Sequence, residues 1–113
     1  MEYKIAVPVV DGYLSSHFGH CQYFFIANVV DGVINQTSEE IPPPHAPGVI
    51  PQWLQKHQVD VVLVGGVGQK ALNLFRQYEI KPVIGVPSNK TPQELVEDYL
   101  KDELISGVNQ CSH

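Results

Sequence analysis

Val59-Asp60-Val61-Val62-Leu63-Val64-Gly65-Gly66-Val67-Gly68 is the stretch on which the fold turns. Val59 to Val64 is a nearly unbroken apolar run, and a strand with that pattern is covered on both faces, as in a parallel sheet. The glycines then turn the chain, and Gln69-Lys70-Ala71-Leu72-Asn73-Leu74-Phe75 continues at helical spacing. Lys81 to Val86 is a second short buried strand. Strand, helix and strand in this order make a parallel pair with a helical crossover.

Outward from this unit, the N-terminal third is antiparallel in character. Tyr3 to about Val9 reads as a strand ending at Asp11-Gly12. Residues 13–20 form a polar loop. Tyr23 to Val30 and Val33 to about Ile41 are two strands joined by Asp31-Gly32, a strong hairpin signal. The latter strand is polar in its middle, from Asn35 to Glu39, which suits a sheet edge or a solvated face. Pro42-Pro43-Pro44-His45-Ala46-Pro47-Gly48 is a stiff extended loop. From Val49 the apolar positions Ile50, Trp53 and Leu54 take helical spacing. Thr91-Pro92-Gln93-Glu94 carries the start signals of a last helix, which the pattern extends to Leu104 or Ile105. Residues 106–113 read as a flexible tail. The element order is β-β-β-α-β-α-β-α, a mixed α/β sheet with flanking helices, in a single domain over residues 1–113.

The chain of 113 residues carries 7 basic and 12 acidic side chains, a net charge of −5. It has no basic stripe, which argues against a nucleic-acid partner. No apolar run approaches the ~20 residues of a membrane span. Met1-Glu2-Tyr3-Lys4 enters a strand without a signal core, so the expected location is cytoplasmic. Cys21 and Cys111 could pair, but in a reducing cytosol free thiols or ligands are the better expectation.

His17-Phe18-Gly19-His20-Cys21 gathers three borderline-to-soft metal donors around one flexible glycine. The spacing is not that of a zinc finger and no CxxC partner exists, so an open site for an exogenous metal species fits better than a closed structural one. His45 joins it if the two loops share an end of the sheet, where ligands bind in such folds. Gly65, Gly66 and Gly68 open a helix whose free N–H groups suit the charged periphery of a ligand; they form neither a Walker motif nor a dinucleotide fingerprint. Cys111 and His113 form a CxH pair in the tail. The metal candidates are therefore His17, His20, Cys21, His45, Cys111 and His113. No carboxylate pair supports hydrolytic chemistry, and Ser15 and Ser16 lack the orienting acid of a triad.

Ile5-Ala6-Val7-Pro8-Val9 with Asp11-Gly12, then Ser16-His17-Phe18-Gly19-His20 and Tyr23-Phe24, resembles the opening of the dinitrogenase iron–molybdenum cofactor biosynthesis family. His45, Gly48, Pro51 and Trp53-Leu54 resemble its second motif, and Asp60-Val61-Val62 through Gly65-Gly66-Val67-Gly68 to Ala71-Leu72 its third. The similarity spans roughly residues 3–105. It implies a ribonuclease-H-like mixed sheet of five strands, without the acidic residues of a nuclease. It also implies a non-enzymatic carrier for an iron–sulfur or iron–molybdenum-type cluster or its precursor, held transiently by His17, His20, Cys21 and His45. The resting form could then be empty. Partners would be cluster-donor or cluster-acceptor proteins, in nitrogenase assembly or in general iron–sulfur metabolism. The alternative is a simple transition-metal-ion binding or regulatory protein using the same donors. The oligomeric state is not legible in the sequence.

Overall fold

A computed structural model describes residues 1–44, 46–104 and 106–107. Among these residues six strands form one mixed sheet: β1 (Glu2–Val10), β2 (Tyr13–Leu14), β3 (Tyr23–Val30), β4 (Val33–Glu40), β5 (Val61–Leu63) and β6 (Lys81–Val83). Three helices among them flank it: α1 (Val49–Lys56), α2 (Gln69–Gln77) and α3 (Pro92–Leu100). The strands lie in the order β4-β3-β1-β5-β6, with β2 paired to the end of β1. β3 runs antiparallel to both its neighbours, while β5 and β6 run parallel to β1. It follows that β4 also runs parallel to β1.

The expected count of five strands is corrected to six. The turn Asp11-Gly12 does not merely end β1; it folds Tyr13 and Leu14 back onto Val10 and Val9. Both turn residues have positive φ, 52° and 87°, as do Asp31 and Gly32 at 50° and 80°. This is the paired left-handed geometry of a type I′ hairpin turn, which Asp-Gly adopts at low steric cost. Pro8 is tolerated inside the central strand for a local reason. Its carbonyl accepts from the Ser15 N–H, so its ring nitrogen faces that same side. There the pairing with β5, at Ile5 and Ala6, has already ended, and Ser15 continues the register of β2 past Val9–Leu14. Only the one donor that would answer the Ser15 N–H is missing, at the very end of that short pairing.

Alternation along β1 divides the interior in two. Ile5, Val7 and Val9 point to one face, where Ala27, Val29, Leu63, Leu95 and Val96 close a core beneath α3. Ala6 points to the other, with Phe24, Ile26, Leu54, Val62 and Phe75 beneath α1 and α2. Val61, Val62 and Leu63 are all buried, as a strand covered on both faces requires. β4 is the exposed edge that its polar middle predicts. Its pairing with β3 slips between Asn28 and Val29, leaving Asn35 as the extra residue of a bulge.

Other boundaries differ from expectation too. The first strand runs to Val10, β5 is confined to Val61–Leu63 and β6 stops at Val83. α3 stops at Leu100, because Asp102 turns left-handed at φ 59°. Gln58 and Glu79 end α1 and α2 in the same way, at 62° and 60°. None of the three is glycine, so the usual sequence mark of a helix end is missing. The start of α3 is as read: Thr91 accepts from the Glu94 N–H, and the Glu94 carboxylate accepts from the Thr91 N–H.

Candidate functional site

The segments that follow β1, β4 and β5 leave the sheet at one end, because the three strands are parallel to one another. These segments and the helices they lead into enclose a cleft of about 910 Å³. The β1 segment contributes Ser16 to His20, the β4 segment Ala46 to Gly48 with Ile50 and Pro51, and the β5 segment Gly66 to Gly68 with one side of α2. Ligands in open α/β sheets bind beyond the carboxyl ends of the strands, and the cleft has that position.

The first wall is held by two anchors. Ser15 is buried; its N–H donates to the Pro8 carbonyl, its hydroxyl donates to the His17 carbonyl at 2.8 Å, and its oxygen accepts from the His17 N–H. Residues Phe18 to His20 form a 3₁₀ turn within what reads from sequence as an unstructured polar loop. Phe18 is its second anchor, buried edge-on against Phe24 and Phe75 at 5.8 and 5.3 Å. With Phe18 fixed in the core, the exposed His17 and His20 flank it on the cleft wall, their rings 6.1 Å apart and perpendicular.

Cys21 takes a different place. It lies half-buried against the core under α1 and α2 rather than among the residues lining the cleft. Burial pushes its thiol up to about 11 from an ordinary 9.0. A thiol so held is neutral at physiological pH and a poor ligand until deprotonated. His45, Cys111 and His113 lie outside the described residues. Ala46 and Pro47, next to His45 in the chain, line the cleft. Among the described residues no three His, Cys, Asp or Glu side chains are grouped as a metal ion would need.

The glycine turn divides into two roles. Gly65 and Gly66 are buried, whereas Gly68 is exposed at the start of α2. Gly68 has φ −73° and ψ 162°, open to any residue, and a Cβ built there meets nothing within 4 Å. Nothing in the fold requires glycine at this position. Gly48, which opens α1 across the cleft, is different: its φ of 78° favours glycine. Lys70, Asn73 and Leu74 complete the α2 wall. Lys70 is a lining residue that the motifs did not single out; its position just past Gly68, in the first turn of the helix that the glycines open, was the available signal.

The chain belongs to the dinitrogenase iron-molybdenum cofactor family, whose model matches residues 1–102. The uncharacterised protein MJ0580 of Methanocaldococcus jannaschii is 31% identical over 84 residues, covering 68% of this chain and 70% of that protein. The fold is shared with the crystal structure of PH0822, at TM-score 0.84 and 23% identity over 91% of this chain and 93% of that one. It is shared too with the apo form of the orange protein from Desulfovibrio gigas, at TM-score 0.75 and 22% identity over 94% and 93% of the two chains. Among the described residues no helix is long and apolar enough to cross a membrane.

Proposed function

We propose that this protein is a non-enzymatic carrier that receives and hands on an iron–sulfur or iron–molybdenum-type cluster, or a precursor of one, through the cleft bounded by His17 and His20. The observation that carries the reading is the pairing of two exposed imidazoles with a cavity far larger than a single ion needs. A bare ion is held by three or four converging protein donors. A preassembled cluster brings its own bridging atoms and needs only one or two side chains plus a shaped surface. Family membership supports the same cargo. The five longer strands support a ribonuclease-H-like reading of the sheet. In chain order among themselves they lie third, second, first, fourth, fifth, and only the second runs against the rest.

In this reading Phe18, Val67, Ala71 and Leu74 exclude water from one side of the cargo, and the imidazoles bind it reversibly at the mouth. The neutral Cys21 thiol stays out of the exchange. Partners are the proteins that supply and accept the cluster. Anaerobic incubation with a cluster donor, then iron, molybdenum and sulfide analysis of the re-isolated protein, tests it. Loading should fall at least about tenfold in the His17→Ala/His20→Ala double variant. Equal loading by that variant removes the site, and preferential uptake of free zinc, nickel or copper over the cluster favours the ion-binding alternative.

A further inference from the structure

The chain has 12 acidic residues against 7 basic ones, yet among the described residues no Asp or Glu lines the cleft. The contrast within the molecule is sharp. A cavity of about 520 Å³ at the other end of the sheet is lined by Glu2, Asp60 and Glu79, and one of about 540 Å³ beside β6 includes Asp102. Around the main cleft the ionisable side chains among the described residues are instead Lys70, His17 and His20. Lys70 is exposed in the first turn of α2 and makes no ion pair among the described residues. Asn73, one turn further along, has its carbonyl oxygen engaged by the Gln69 amide at 2.9 Å, which leaves its NH₂ as a donor on the same wall. The first turns of α1 and α2 carry no acid either, whereas that of α3, away from the cleft, carries Glu94.

We infer that the cleft selects its cargo by charge, taking a species with net negative charge and excluding free cations, and that Lys70 is the specificity-determining residue. This rests on the carrier reading for the identity of the cargo but not for its sign. An acidic protein repels anions at long range, so an anion that binds must meet a local reversal of potential. Lys70 brings a compact ammonium group with three donors to this wall. A cluster or metallate whose outer atoms are sulfide or oxide fits such a wall. A hydrated divalent ion, which needs carboxylates or three converging nitrogen or sulfur donors, does not.

The probe is tetrathiotungstate, a coloured dianion with a sulfide surface and no iron, measured by equilibrium dialysis at low ionic strength. Wild type should retain it. Lys70→Gln should weaken binding roughly tenfold and Lys70→Glu roughly a hundredfold, as expected for removing or reversing one charge a few ångströms from a dianion. The gap should close in about 1 M salt. Lys101→Gln, remote from the cleft at the end of α3, controls for net charge and should change binding less than about twofold. Hexaamminecobalt(III), a trication, should not be taken up in the cleft. No retention by wild type, equal retention by Lys70→Glu, or uptake of the trication in the cleft each overturns the inference. Cluster loading unaffected by Lys70→Glu would sink the charge argument and leave the carrier reading standing. Lys70-dependent retention of the dianion by a protein that loads no cluster would do the reverse.

Discussion

Replacing Gly68 with serine should make the protein more stable and less able to load. The site has extended backbone, and a Cβ there meets no atom within 4 Å, so no steric cost opposes the change. Serine is a better residue than glycine at the start of a helix, by a few tenths of a kcal/mol, and α2 now has no side-chain cap. Removing a glycine also cuts the entropy of the unfolded chain, worth about 0.4–1 kcal/mol at compatible sites. Together these give about 0.5–1.5 kcal/mol, a rise in melting temperature of roughly 2–8 °C for a domain of this size. Thermal unfolding followed by circular dichroism reads this directly. The new side chain projects from the cleft wall, and cluster loading should fall roughly tenfold. A lower melting temperature would mean that the fold, not the cargo, needs this glycine. A stabilised variant that loads normally would mean that the cargo does not approach the turn.

The three left-handed helix ends offer a second test. Gln58→Gly, Glu79→Gly and Asp102→Gly should each raise the urea midpoint, by about 0.5–1 kcal/mol in stability; a loss at any of them would place its side chain in an unrecognised contact. Phe18→Ala should cost about 3–5 kcal/mol in chemical denaturation, since it empties a site packed on Phe24 and Phe75. A cost below about 1 kcal/mol would show that the turn is not anchored there. In a Cys111→Ser background at pH 8, iodoacetamide should modify Cys21 roughly a hundredfold more slowly than an ordinary thiol, because a shift from 9.0 to about 11 leaves that much less thiolate. The sign also fixes a pH effect: the raised value favours the folded state fully below about 9 and is lost as pH rises through about 11. An alkylation rate like that of a free thiol would refute the buried placement.

The parts of the fold written in local chemistry were legible. The apolar run from Val59 to Val64 announced a strand covered on both faces, of which Val61–Leu63 forms β5, and Asp31-Gly32 announced its hairpin. The polar stretch from Asn35 to Glu39 announced an edge. Whether the 13–20 and 42–48 loops share an end was open in the sequence; strand direction brings described residues of both to the cleft. What escaped depends on partners distant in sequence. Tyr13 and Leu14 are a strand only because Val9 and Val10 have a free side at that point. Cys21 was legible in part: a cysteine entering a strand is more often core than ligand, and it packs half-buried against the core. Phe18 could have been found: an aromatic alone in a polar loop is more often an anchor than an ornament. Lys70 had one local signal, its place in the first turn of the helix that the glycines open; the lack of acids on the facing segments had none.

Each wall of the cleft hangs from a different strand end, and the walls share the sheet only as a common base. A substitution of an exposed lining residue, such as His17, His20, Pro47, Gly68 or Lys70, can therefore reshape one side of the opening while the two cores stay packed. The molecule thus resembles a vice with separately replaceable jaws. Members of such a family can diverge in what they hold one jaw at a time, and transplanting a single segment between relatives should carry part of a preference with it.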